Sequence, residues 1–168
     1  MADSLEQMYN ERPGFFSKVT DPFSLEKLGA QAAIKEYGIG EDVGGKGDAL
    51  RHLLASAVLA KRHSPWYSNL ITNLHEAPIP VIGSLAQAPE DKAMDLHNNA
   101  LGIQLAKEAK DYPDLVRKAK ANIDSGTAKL VYERATPTRG PDAIDNIINS
   151  GSDKLVQLKD WATKYFQK

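Results

Sequence analysis

Cysteine is absent from this 168-residue chain, which excludes disulfides, thiolate metal sites and cysteine nucleophiles together. The absence says little about compartment, because a chain can be secreted without disulfides. Nothing in the sequence approaches the roughly 20 consecutive apolar residues needed to span a bilayer. Charge of one sign is also lacking: 21 basic residues stand against 22 acidic ones, for a net charge of −1. No global field therefore draws in nucleic acid or an anionic membrane. A nucleic-acid-processing role is the least supported class, since arginines and aromatics are not interleaved either. Internal repeats and low-complexity tracts are missing. The opening MADSLEQMYNERPG is acidic and polar, so it does not read as a signal peptide, and the chain is expected to be made in the cytosol.

What is present is ordinary for a water-soluble globular chain: 42% hydrophobic and 26% charged residues, in a length that suits one domain, 1–168. Residues 1–21 read as an N-terminal arm, a weak helix broken at Pro13-Gly14. Asp21-Pro22 reads as the N-cap and first turn of a helix that stops at Gly38. A glycine loop over 38–47 leads into a helix from about Asp48 to Arg62. Pro65 restarts a short helix ending near His75-Glu76, and Pro78 and Pro80 force an extended turn. The longest helix spans about 90–111 after Pro89, and Pro113 opens another to about Asp124. "TAKLVYER" at 127–134 fits a strand or a short helix, and Gly140-Pro141 starts a further short helix. The last segment, 150–168, reads as an amphipathic helix with Leu155, Leu158, Ala162 and Tyr165 on one face. The expected fold is an all-α, single-domain orthogonal bundle of six or seven helices, with room for one short strand or hairpin.

Five glycines crowd residues 38–47, and Gly40 to Gly47 follow G-x-x-x-x-G-K. A phosphate-binding loop then needs Ser or Thr, where this chain has Gly47, and a strand before it, where the pattern is helical. Glu41 and Asp42 would also repel phosphate. The glycines read instead as a helix stop and a flexible connection.

Projection at 100° per residue isolates two polar stripes. Around Asp95, the residues Asn98, Asn99, Gly102 and Ala106 share one face of the 90–111 helix, flanked by Met94, Leu101 and Leu105 and by Leu96 and Ile103. His97, Gln104, Lys107 and Glu108 mark the solvent side. On the preceding helix Asp48, Arg51, His52 and Ala55 share a face, with Leu50, Leu53, Leu54 and Ala57 covering the other. Gly102, Ala55 and Ala106 are small enough for the two stripes to approach. The expectation is an inward cluster of Asp48, Arg51, His52, Asp95, Asn98 and Asn99, informative because buried polar groups are costly unless paired.

In such a cluster His52 is the candidate general acid–base. Asp95 would activate water or hold a metal, Arg51 would stabilise a developing anion, and Asn98 and Asn99 would orient substrate. His75-Glu76 lacks the second histidine of H-E-x-x-H. With Asp48, His52 and Asp95 it still makes a nitrogen/oxygen ligand set for zinc, manganese or iron. Ser56, one turn past His52 on the same helix, is poorly placed as a nucleophile. Each residue also has a structural alternative: Asp48 as a helix-start acid, Arg51 and Asp95 as a buried ion pair, the asparagines as partners for backbone. His63 and His97 read as solvated, and Trp66, Trp161, Tyr165 and Phe166 as packing residues.

The stretches "DALRHLLASAVLA", "HE" and "MDLHNNALG" resemble a small helical domain of phage proteins and of bacterial secreted or toxin-like C-termini. Its pattern is D-x-x-R-H, then H-E, then D-x-x-N-N-x-x-G, over about 44–105. The resemblance marks Asp48, Arg51, His52, His75, Glu76, Asp95, Asn98, Asn99 and Gly102, and carries no secure activity. It implies a phage or bacterial source, a polymeric, cell-envelope-like substrate for a hydrolase, and association with virion proteins as the non-enzymatic alternative.

Overall fold

Capping side chains and prolines set most helix boundaries in the computed structural model, which describes residues 4–14, 17–38, 44–76 and 89–131. Among the described residues there are six helices and no strand: α1 (Leu5–Asn10), α2 (Ser17–Tyr37), α3 (Lys46–Arg62), α4 (Pro65–His75), α5 (Pro89–Glu108) and α6 (Tyr112–Asp124). The all-α expectation holds. Ser4, Ser64 and Asp111 each accept a backbone N–H three residues on, at 3.1, 3.1 and 2.8 Å, and so start α1, α4 and α6. Gly38 ends α2 at φ +83°, a left-handed conformation that side-chain-bearing residues adopt at a cost.

The start of α2 and the end of α5 differ from the sequence reading. The second helix begins at Ser17 rather than Asp21, so Pro22 lies inside it. Proline has no N–H for the Lys18 carbonyl, and the Tyr67 hydroxyl on α4 donates to that carbonyl instead. Asp21 is free for other work because it does not cap: it accepts from Arg62 Nε at 2.7 Å and lies 2.9 Å from His63 Nε2. His63 is therefore a buried partner, its side chain 3% exposed, and not a solvated residue. The long helix α5 stops at Glu108, because Asp111 is taken as the N-cap of α6.

Residues 127–131 form neither strand nor helix. They are held by backbone bonds to earlier elements, Ala128 N–H to Asn122 and Val131 N–H to Gly44, both at 2.9 Å. Trp66, expected to pack, is 72% exposed, because α4 turns its other face to the bundle. His97 is half-buried, with Nε2 2.9 Å from the Thr127 carbonyl. The glycine-loop residues 39–43, the turn over 77–88, the helix at Gly140-Pro141 and the terminal helix 150–168 with Trp161, Tyr165 and Phe166 lie outside the described residues.

The core is organised around α3. Leu50, Leu53, Leu54, Ala57 and Val58 are all at most 1% exposed, and α1, α2, α4, α5 and α6 all pack against this helix. An α-helix apolar on most sides has to be central, since each side needs a cover. The nearest neighbour is α5 at Gly102. A Cβ there would fall 2.1 Å from Ser56 Oγ and 2.3 Å from the Leu53 carbonyl oxygen. Ala55 does not take part in this approach; it faces Gly29 on α2, where a Cβ would lie 3.8 Å from its own.

We expect Gly102→Ala to be among the most damaging small substitutions in the chain. Overpacking ordinarily costs about 1–3 kcal/mol, and here the obstacle includes backbone, so a loss at or above the top of that range is expected in urea denaturation. A loss below about 0.5 kcal/mol, within the scatter of neutral surface changes, would show that α3 and α5 are farther apart than described.

Candidate functional site

The polar stripes of α3 and α5 meet beside that close approach. Asp48 stands in the first turn of α3, where its carboxylate suits the helix dipole. It does more than complement the dipole. Oδ2 accepts the Gly44 N–H at 2.7 Å, and Oδ1 accepts from Arg51 Nε at 3.1 Å and from Arg51 Nη2. Burial pushes the Asp48 carboxyl up, but Arg51, His52 and the Gly44 N–H outweigh it and hold it below the usual carboxylate range. Burial likewise opposes the Arg51 charge, and Asp48, with Asp95 and Glu26 behind it, raises its basicity nonetheless.

His52 is the centre of the cluster, 6% exposed. Its Nδ1 lies 3.2 Å from Asn99 Oδ1. Its Nε2 lies 2.9 Å from Asp95 Oδ1, 2.9 Å from Arg51 Nη2 and 3.5 Å from Asp48 Oδ1. These contacts are compatible with two states of the ring. When neutral, it donates from Nδ1 to Asn99 and accepts from Arg51 at Nε2. When protonated, it keeps Asn99 and donates from Nε2 to Asp95. The ring has a partner in either state.

Five of the six clustered residues come together: Asp48, Arg51, His52, Asp95 and Asn99. Asn98 does not join them. Its Nδ2 donates to the Lys129 carbonyl and its Oδ1 accepts the Lys129 N–H, both at 2.9 Å, which pins 127–131 to α5. Ser56 is fully buried, and its hydroxyl donates to the His52 carbonyl at 2.6 Å, consistent with its exclusion as a nucleophile.

His75 and Glu76 form a separate pair at the end of α4. His75 Nδ1 is 3.0 Å from Glu76 Oε1. Burial pushes the Glu76 carboxyl up, but the His75 hydrogen bond and the charges of His75, His52 and Arg51 leave it below its ordinary range. Asp48, His52 and Asp95 each offer one ligand atom, all within 4.8 Å of one another, and could hold a metal ion. Tetrahedral bonds of about 2.0–2.2 Å, as zinc makes to nitrogen and oxygen, place ligand atoms roughly 3.3–3.6 Å apart; the 3.5 Å from His52 to Asp48 fits that spacing, while the 2.9 Å to Asp95 is a hydrogen-bond distance. His75 and Glu76 are not part of that group. Arg51 already occupies Asp48 Oδ1, so a metal there competes with it.

A cavity of about 80 Å³ opens between α2, α3 and α4. Leu25, Leu59 and Ile71 give it an apolar wall; Arg51, His52, Asn99 and Glu76 face it with polar groups. Asp48 and Asp95 stand behind His52. Two acids went unnoticed in the sequence. Asp91 lies one turn before Asp95, and its carboxyl is pushed up by burial and then by Asp95 and Asp48. Glu26 lines the cavity from α2. An offset of four from Asp95, and of four from Pro22 on the Gly29 face, was the available signal for each.

Comparison with known families finds one match, to a domain of unknown function (DUF6973) over residues 16–129, a span that contains every residue of the cluster. No curated protein and no solved structure matches the chain.

Asp48 is depressed in the fold, so its contribution to stability is complete above its unfolded value of about 4 and is lost as pH falls through the lower folded value. We expect thermal stability to fall on acidification below about pH 4, and Asp48→Asn to flatten part of that slope. The substitution strands Arg51, whose side chain is 22% exposed. A cost near the lower end of the roughly 3–5 kcal/mol typical of a broken buried pair is expected. An unchanged acid slope in the variant, followed by melting against pH, would show that Asp48 is not the depressed group.

Proposed function

The chain belongs to the DUF6973 family, a family of domains of unknown function, and from its site we propose that it is a small hydrolase domain of phage or bacterial origin acting on a cell-envelope or similar polymer. The substrate class comes from the resemblance of its three motifs to phage and toxin-like domains. The chemistry rests on one observation: His52 lines the cavity and has a hydrogen-bond partner ready in both protonation states. A general acid–base must exchange its proton without leaving a buried orphan in either state.

On this reading the attacking water takes the place of Arg51 Nη2 at Nε2 and gives its proton to the neutral ring, which Asn99 orients. The imidazolium then pairs with Asp95, and Arg51, no longer donating to Nε2, presents its charge to the oxyanion that develops. The ring finally returns the proton to the leaving group. Asp48 keeps Arg51 charged and aimed.

A second reading has its own support in the three converging ligand atoms of Asp48, His52 and Asp95. There a divalent zinc, manganese or iron ion would supply a polarised water, with the same carboxylates as its ligands. The non-enzymatic alternative is a virion or structural protein whose polar network locks α3 to α5.

These separate by experiment. On a hydrolase, His52→Ala is expected to lower the release of soluble fragments from purified cell-wall polymer by about 10²–10⁴-fold, with a cooperative melt retained. Asp95→Asn should lose less. Loss of several kcal/mol of stability in both variants, with no His52-dependent release, would falsify the enzymatic reading in favour of the structural one. Zinc at about 100 times its dissociation constant should add about 2.7 kcal/mol of stability if the metal reading holds. That gain should vanish in His52→Ala.

A further inference from the structure

Glu76 ends α4 with a side chain only 1% exposed, yet only one of its oxygens is served. Oε1 lies 3.0 Å from His75 Nδ1, while Oε2 is buried and meets no donor. A buried carboxylate with half its acceptors unused is costly, and a ligand that brings a donor removes the cost. Glu76 lines the cavity, and so does Glu26 from α2, with Oε1 4.0 Å from His75 Nε2. Arg51, the one permanently charged cation among the described residues of the lining, is paired with Asp48. Among the described residues the cavity thus has an acidic end, where Glu76 Oε2 meets no donor, and an apolar wall of Leu25, Leu59 and Ile71. Its volume of about 80 Å³ is several times the roughly 10–15 Å³ that one water needs.

We propose that this cavity takes the end of an aliphatic chain bearing an ammonium group, the ammonium on Glu76 and the methylenes along Leu25, Leu59 and Ile71. The assignment names a substrate class for the hydrolytic site and rests on that reading for its chemistry, since His52 and Asn99 line the same cavity. Binding itself does not require turnover. A hydroxyl would fill the Oε2 position without offsetting the charge of the Glu76 carboxylate; an ammonium does both.

The test is titration of the full chain with n-butylammonium chloride, followed by calorimetry at neutral pH, with n-butanol and n-butyrate as controls. Butylammonium is expected to bind at least tenfold more tightly than butanol, and butyrate not at all. Glu76→Gln, which keeps the volume, should bring butylammonium down to the level of butanol. Glu26→Gln should weaken it severalfold, and serves alone if Glu76→Gln does not give a native melt. Equal binding of butanol and butylammonium by the unmodified chain overturns the proposal, as does undiminished butylammonium affinity in a folded Glu76→Gln. His52→Ala separates the two readings. Retained butylammonium binding with no His52-dependent hydrolysis supports the ligand assignment and sinks only the hydrolase. His52-dependent hydrolysis without any ammonium preference sinks only the ligand assignment.

Discussion

At Gly102 the α5 backbone comes so near to α3 that no side chain fits between them, and the placement of the polar cluster follows from that contact. With the two helix backbones that close, residues one and two turns nearer the start of α5 arrive beside the first turns of α3. Asp95 reaches the imidazole at 2.9 Å and Asn99 at 3.2 Å only because the approach is set by backbone and not by longer side chains. Interiors packed to this density move little, so the spacing of the cluster is inherited from the packing and not created by its own hydrogen bonds. Gly29 does a smaller version of the same thing on the other side. It lets α2 lie against Arg51 Cγ, where a Cβ would be 3.1 Å away, and so narrows the cavity next to the guanidinium.

The central helices and their inward stripes were legible from periodicity because α3 and α5 carry uninterrupted 3.6-residue patterns. Asp48, Arg51, His52, Asp95 and Asn99 were therefore found from offsets alone. The same offsets misplaced Asn98, since a helical projection gives the face but not what lies above it. There the occupant is the backbone of Lys129, thirty-one residues on. His63 failed for a related reason: its partner, Asp21, was assigned to capping, and only the earlier start of α2 releases that carboxylate for Arg62 and His63. Trp66 shows the limit of composition, because an indole on a helix surface reads like one in a core until the neighbours are known. Asp91 was readable and overlooked: the stripe was begun at Asp95, one turn too late.

Charge is what would set this cluster apart from an ordinary helix lock. A structural network is most stable with its donors and acceptors matched in one state. Here the carboxylates of Asp48, Asp95 and Glu76 face Arg51 and two histidines, so the balance depends on how many protons the imidazoles carry. Burial of such a site is tolerable because Asp48 satisfies three donors at once, Gly44 N–H and two nitrogens of Arg51.

Arg51 is where the two chemical readings of the site part. Its hold on Asp48 Oδ1 and its contact with His52 Nε2 fit the proposed acid–base centre, in which the guanidinium satisfies the neutral ring until water takes its place. The same contacts oppose a metal, because a divalent ion bridging Asp48, His52 and Asp95 must displace the guanidinium from an oxygen and a nitrogen together. Two cations at that spacing in a partly desolvated site repel strongly. The displaced guanidinium would have one acidic direction to turn, toward Glu76 and Glu26 across the cavity. Metal binding and occupation of that cavity by an ammonium group are then mutually exclusive, whereas the acid–base centre leaves the cavity open to it. On the proposed reading, the arrangement of Arg51 suits proton transfer by His52, with the cavity left open to an ammonium group.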